Sequence, residues 1–232
     1  MLSSYVDRYH AGQVLAEHLS DLADQNDVLV LGLPRGGVPV AYEIARRIHA
    51  PLDVFVVRKL GAPGQPELAV GAVATGGVRV INDAVVRSFR LDPADLDVMV
   101  RQAQEQVVRQ ERLFRPHGQT SDVDGKHVIL VDDGLATGST MRAAVQAVRY
   151  HQPVSITVAV GVAAPWEAEA FARSVDRLIC PLRPDDFTAV GGWYDRFDQT
   201  SDAEVRHLLE YARNKDDMPH PQAAFAPREG AP

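Results

Sequence analysis

A single cysteine, Cys180, stands in a chain of 232 residues. An intrachain disulfide is therefore excluded, and a reducing compartment such as the cytoplasm is the expected setting. Aromatic residues are sparse, and no apolar run approaches the roughly 20 residues that cross a bilayer. The N-terminal stretch, with Asp7, Arg8, His10 and Glu17, lacks the apolar centre of a signal peptide. A Lys/Arg-rich block is missing too, and the net charge is −7. That counts against a duplex nucleic-acid partner, which calls for a basic face. A small phosphorylated ligand stays open, because a few placed cations suffice for it. The eight histidines are scattered, and none pairs with a carboxylate at the helical spacing of a zinc site. No internal repeat is found.

The remainder is that of a globular α/β chain, with 46% hydrophobic and 24% charged residues. Ala11, Leu15, Leu19 and Leu22 share one face, which predicts a helix over about 8–24. Val28 to Leu33 is a continuous apolar run of the buried-strand kind. Pro34-Arg35-Gly36-Gly37 breaks it, and a helix marked by Ala41, Ile44, Ala45 and Ile48 follows. A second apolar run, Leu52 to Val57, ends in Arg58-Lys59. Strand, turn, helix and strand in so short a span make a βαβ unit.

Gly61 to Glu67, dense in glycine and proline, reads as a mobile loop, with short strands at Ala69 to Ala74 and Val78 to Ile81. Asp92-Pro93-Ala94-Asp95 is a helix start, and that helix is expected to reach Phe114. Further strands are expected at His127 to Val131, Ile156 to Val162 and Leu178 to Leu182. Helices are expected over 139–150, Trp166 to Ser174 and about 201–213. The residues after Asn214, with four prolines, read as a disordered tail. This alternation predicts a doubly wound, mostly parallel sheet with helices on both faces. Such sheets bind ligands beyond the carboxyl ends of their strands.

Val128 to Thr140 carries the chemistry: a buried strand, two acids, then a small-residue loop opening a helix. Backbone N–H groups of such a loop converge on one spot, where the helix dipole adds positive potential. The hydroxyls of Thr137, Ser139 and Thr140 add donors, which suits a phosphate monoester held without lysine. No Gly-Lys-Ser/Thr occurs, so the string is not a Walker loop. Asp132 and Asp133 suit the vicinal hydroxyls of a ribose and a hydrated magnesium ion. The bland alternative is an acidic capping turn after a strand.

The string resembles the 5-phosphoribosyl-1-pyrophosphate (PRPP) signature of type I phosphoribosyltransferases, and Asp132 to Met141 is most similar to the adenine enzymes. Gly134 departs from it, since a bulky aliphatic is usual there. The resemblance implies PRPP binding by Arg35, Gly36, Gly37 and by Asp132, Asp133, Gly134, Leu135, Ala136, Thr137, Gly138, Ser139 and Thr140. Arg35-Gly36 is similar to the family's pyrophosphate loop, and Arg58-Lys59-Leu60-Gly61 to the start of its catalytic loop. A tight turn and a solvated strand end are the plain alternatives for these two.

The implied reaction displaces pyrophosphate from PRPP with a nitrogen acceptor, usually a nucleobase, with Mg²⁺ as cofactor. Asp132 and Asp133 would hold the ribose, and Arg58 and Lys59 the leaving group. Gly61 to Pro66 would close as a lid. Glu67 would accept a proton, or be a surface glutamate. Ala136 replaces the acid that serves the base in hypoxanthine-guanine relatives.

A hood recognising the base is expected within Asp185 to Phe197, with Phe187, Trp193 and Tyr194 as a stacking wall or as local core. Residues 1–213 are then one domain, with a core of about 26–182, a hood of about 183–200 and a contribution from the N-terminal helix. A homodimer is one option for assembly, and no membrane or nucleic-acid partner is expected. A PRPP-sensing regulator with little turnover is the alternative function.

Overall fold

The computed structural model describes residues 3–115 and 120–213. Helix α1 (Arg8–Glu17) starts at Asp7, whose carboxylate accepts a hydrogen bond from the His10 N–H. It ends at His18, sooner than the apolar period indicates, and a 3-10 turn at Ser20–Leu22 carries the remaining leucine contacts. Strand β1 (Val28–Gly32) is buried throughout. Helix α2 (Gly37–Ile48) begins before its first periodic residue, with Pro39 in the first turn where its missing N–H goes unused.

The second apolar run is divided between two sheets. Strand β2 (Leu52–Val54) pairs with β1, whereas β3 (Val57–Ala62) leaves to pair with β4 (Gln65–Ala74). Strand β5 (Val78–Ile81) completes this antiparallel sheet. Gly61 to Glu67 is therefore the tip of a β-hairpin, a correction to the loop expected there. Pro63 and Gly64 turn the chain between paired Ala62 and Gln65, and Gly64 has φ +74°, which glycine adopts without strain. The ladder shifts register on both sides of Gly61. Glycine and proline thus mark a turn and a bulge, which a sequence reading cannot separate from a loop.

Helix α3 (Asp83–Ser88) is too short to show a period. Helix α4 (Pro93–Phe114) follows Asp92 as expected, with that carboxylate accepting from the Ala94 N–H. Strand β6 (His127–Leu135) runs past Val131 and keeps pairing with β7 (Ser155–Ala163) beyond the two acids. Helices α5 (Ser139–Tyr150) and α6 (Pro165–Ala172), strand β8 (Arg177–Ile179) and helix α7 (Asp202–Arg213) complete the chain. The expected tail, 214–232, lies outside the described residues.

The main sheet is wholly parallel, in the order β2-β1-β6-β7-β8. Side chains alternate across it, so Leu29, Leu31, Val128 and Leu130 face α5 and α6. Val28, Val30, Ile129 and Val131 face α1 and α2. Each such side chain contributes roughly 1.5–3 kcal/mol on burial. A further core joins α4 and α7 to the β3–β4 hairpin. The carboxyl ends of β1 and β6 therefore open between that hairpin and the N-terminal segment. Among the described residues no helix is long and apolar enough to cross a membrane.

Candidate active site

Asp132 and Asp133 lie at the mouth of the site because β6 carries them past the end of β1 while it still pairs with β7. Gly36 and Gly37 pack against them: a side chain at Gly36 would collide with the Asp133 carboxylate, and one at Gly37 with the Val131 carbonyl. These two glycines are thus required by close approach. Asp132 Oδ1 accepts a 2.9 Å hydrogen bond from the Asp133 N–H. Arg8 Nε donates to Asp133 Oδ2 at 2.9 Å, and the Tyr194 hydroxyl donates to the Asp133 carbonyl at 2.6 Å. Burial, and then the charge of Asp133, push the Asp132 pKa well above the ordinary aspartate range. Burial also raises that of Asp133, with Arg8 opposing the shift.

Beyond the acids, Ala136 to Gly138 lead into α5. Gly138 has φ +60°, and a side chain there would strike Glu167. The hydroxyls of Thr137 and Ser139 lie 3.0 Å apart. Lys59 Nζ reaches Ser139 Oγ at 3.1 Å and Glu67 Oε2 at 3.2 Å, and the Thr137 hydroxyl donates to the same glutamate oxygen at 3.3 Å. The hairpin therefore closes onto the loop with a carboxylate against its hydroxyls. Hydrogen bonding to Lys59 is the main cause holding the Glu67 pKa below its ordinary value. A carboxylate kept ionised in this way is a weak proton acceptor until the lysine leaves.

A cavity of about 350 Å³ lies between this loop and the β1–α2 turn, lined by Pro34, Arg58, Lys59, Gln110 and Thr140. The Arg58 Nε is buried without a hydrogen-bond partner. Arg35 points elsewhere, reaching Asp202 at 3.4 Å, and the Pro34–Arg35 peptide is cis. Phe187 and Trp193 pack against a small cluster of Tyr5, Ala11, Val162, Leu182 and Tyr194. Tyr194 itself is only 6% exposed, which makes it a strut beneath the acids more than a free stacking face.

Sequence reasoning missed several residues. Arg8 is separated from Asp133 by 125 positions and belongs to no motif. The Arg142–Glu167 ion pair, which backs Gly138 and stacks over Phe171, joins two helices with no shared sequence signal. Gln110 faces the cavity from α4, whose own pattern reads as an ordinary amphipathic helix. Among the described residues no cluster of three or more His, Cys, Asp or Glu could hold a metal ion.

Residues 6–192 match the family described as phosphoribosyl transferase domain. A Mycobacterium tuberculosis protein, provisionally named a phosphoribosyl transferase, is 46% identical over 206 residues, covering 89% of this chain and 46% of that protein. The chain thus spans about half the length of the curated relatives it matches. The Corynebacterium diphtheriae protein named bifunctional protein PyrR is 29% identical over 60% of this chain and 55% of its own. The crystal structure of TT1426 from Thermus thermophilus superposes with a TM-score of 0.81 at 39% identity, covering 89% of this chain and 97% of that one.

Proposed function

Since the chain belongs to the phosphoribosyl transferase family, we propose that it binds PRPP and transfers its phosphoribosyl group to a nucleobase nitrogen. The supporting observation is the β6–α5 loop, whose hydroxyls and neighbouring Lys59 already hold a carboxylate of the same chain. A pocket shaped for one anion at a helix N-terminus suits the 5′-phosphate equally well.

In this reading Asp132 and Asp133 accept hydrogen bonds from the ribose hydroxyls and favour the positive charge that grows on the ring. Arg58 and Lys59 line the cavity that takes the pyrophosphate and bring two positive charges to it. Gly36 and Gly37 let the β1–α2 turn pack directly on the acids that hold the ribose, and Arg35 joins once it leaves Asp202. The C1–oxygen bond breaks with its electron pair going to pyrophosphate, and the acceptor nitrogen bonds C1 and loses a proton. Glu67 can take that proton only after Lys59 releases it. Residues 183–200 form the hood, where Phe187 and Trp193 are the aromatic edges nearest the base.

Mg²⁺ fits the acid pair, because Asp132 and Asp133 are adjacent carboxylates and the one guanidinium beside them, that of Arg8, pairs with Asp133 alone. Asp132 and Asp133 would hold it, and the ion would supply charge neutralisation of the pyrophosphate. A binding protein with little turnover is the second reading. It is favoured by Lys59 and Arg35, which are both engaged by carboxylates of the chain.

Incubation with PRPP, Mg²⁺ and a panel of purines, pyrimidines and small amines, with pyrophosphate release recorded, separates the two. Release with one acceptor supports transfer. PRPP binding without release from any acceptor contradicts it and favours the binding protein.

A further inference from the structure

We propose that Arg8 is the positioning residue of the acid pair, locking one oxygen of Asp133 from the first turn of α1 so that the other carboxylate oxygens face the ligand. This rests on the phosphoribosyl reading of the site and adds a residue to it.

Three contacts fix the guanidinium. Its Nε donates to Asp133 Oδ2 at 2.9 Å, Nη1 donates to the Asp198 carbonyl at 2.6 Å, and its Cζ sits over the Phe197 ring, 3.8 Å from the centroid. Only 11% of the Arg8 side chain is exposed. A planar fork of N–H donors that stays charged can serve a carboxylate, a carbonyl and a ring together, whereas an ammonium serves them less well.

The backbone around Arg8 is fastened to the same segment. Asp195 N–H donates to the Tyr5 carbonyl at 2.8 Å and Arg196 N–H to the Val6 carbonyl at 2.9 Å. The Arg196 guanidinium also meets Asp7 at 2.6 Å. Residues 5–8 are thus a strap zipped to 193–198, and Arg8 is the group that this strap delivers to the acids. On the opposite side Gly36 leaves room for the ion pair, since a Cβ there would approach Arg8 Nε to 3.2 Å. The strap, the acids and the β1–α2 turn therefore meet at one guanidinium. A carboxylate held on one oxygen keeps a single rotamer, which is what two ribose hydroxyls need in order to find it in register.

The test compares wild type, Arg8→Lys, Arg8→Met and Arg8→Met/Asp133→Asn by calorimetric titration with Mg²⁺ and PRPP and by thermal unfolding. Arg8→Met is expected to weaken PRPP binding by about 10–100-fold, the usual loss when the partner of a ligating group is removed. Arg8→Lys should recover much of it. In unfolding, Arg8→Met should lower the midpoint, and adding Asp133→Asn should restore most of the loss, because the unpaired carboxylate is then gone. PRPP binding by Arg8→Met at wild-type strength would overturn the positioning role. Midpoints that merely add would overturn the ion pair itself. If wild type does not bind PRPP, the phosphoribosyl reading fails, and a restored midpoint in the double variant still upholds the clasp on Asp133.

Discussion

Lys59 and Glu67 face each other at 3.2 Å across the β3–β4 hairpin, and both also touch the β6–α5 loop. The hairpin is therefore latched to the β6–α5 loop through a carboxylate that would compete with a phosphate proposed to bind there. Glu67→Gln removes that competing charge. Binding of ribose 5-phosphate should tighten a few-fold, and Lys59→Met should weaken it, both read by calorimetry. Weaker binding by Glu67→Gln would mean that the carboxylate supports the ligand instead of excluding it.

The acid pair links function to stability. Burial raises the folded-state pKa of Asp132 and Asp133, so the folded protein binds those protons more tightly than the unfolded chain does. Stability from this source is fully present below the ordinary aspartate value and is lost as pH rises through the raised folded values. Ionising the buried pair is therefore a cost to the folded state. Asp132→Asn keeps the acceptor for the Asp133 N–H and should raise Tm by roughly 2–4 °C per kcal/mol recovered. Thermal unfolding at several pH values checks this: the gain should shrink towards acid pH. A gain independent of pH would refute it.

Tyr194→Phe removes the donor to the Asp133 carbonyl inside a packed cluster. Loss of one such hydrogen bond costs about 0.5–1.5 kcal/mol. Chemical denaturation should show a loss in that range with an unchanged m-value, and PRPP binding should weaken alongside. An unchanged midpoint would show that water replaces the phenol.

Cys180 is buried, and desolvation pushes its thiol pKa up to about 11. The native protein should react with a thiol reagent only at the rate of unfolding, and promptly in denaturant. Prompt labelling of the native protein would contradict the packing around β8.

The parallel sheet was legible because its strands are continuous apolar runs separated by capped helices, as at Val28 to Leu33 and Asp92 to Asp95. The order of strand, acids, loop and helix from β6 to α5 was legible for a local reason: an apolar run, acids, small residues and hydroxyls follow one another from Val128 to Thr140. The hairpin was not, since Pro63 and Gly64 carry the same composition in a turn as in a loop. Arg8 and the Arg142–Glu167 pair were not legible either. Their partners are brought together only by tertiary packing, and a lone arginine on a helix carries no sign of which acid it will meet.

The most direct measurement is a calorimetric titration of wild type and Asp132→Asn with PRPP in the presence of Mg²⁺. Wild type should bind one PRPP per chain, and the more stable Asp132→Asn should bind at least about tenfold more weakly, the worth of one charge-assisted hydrogen bond. Absence of binding by wild type, or equal binding by both proteins, would contradict PRPP recognition at Val128 to Thr140.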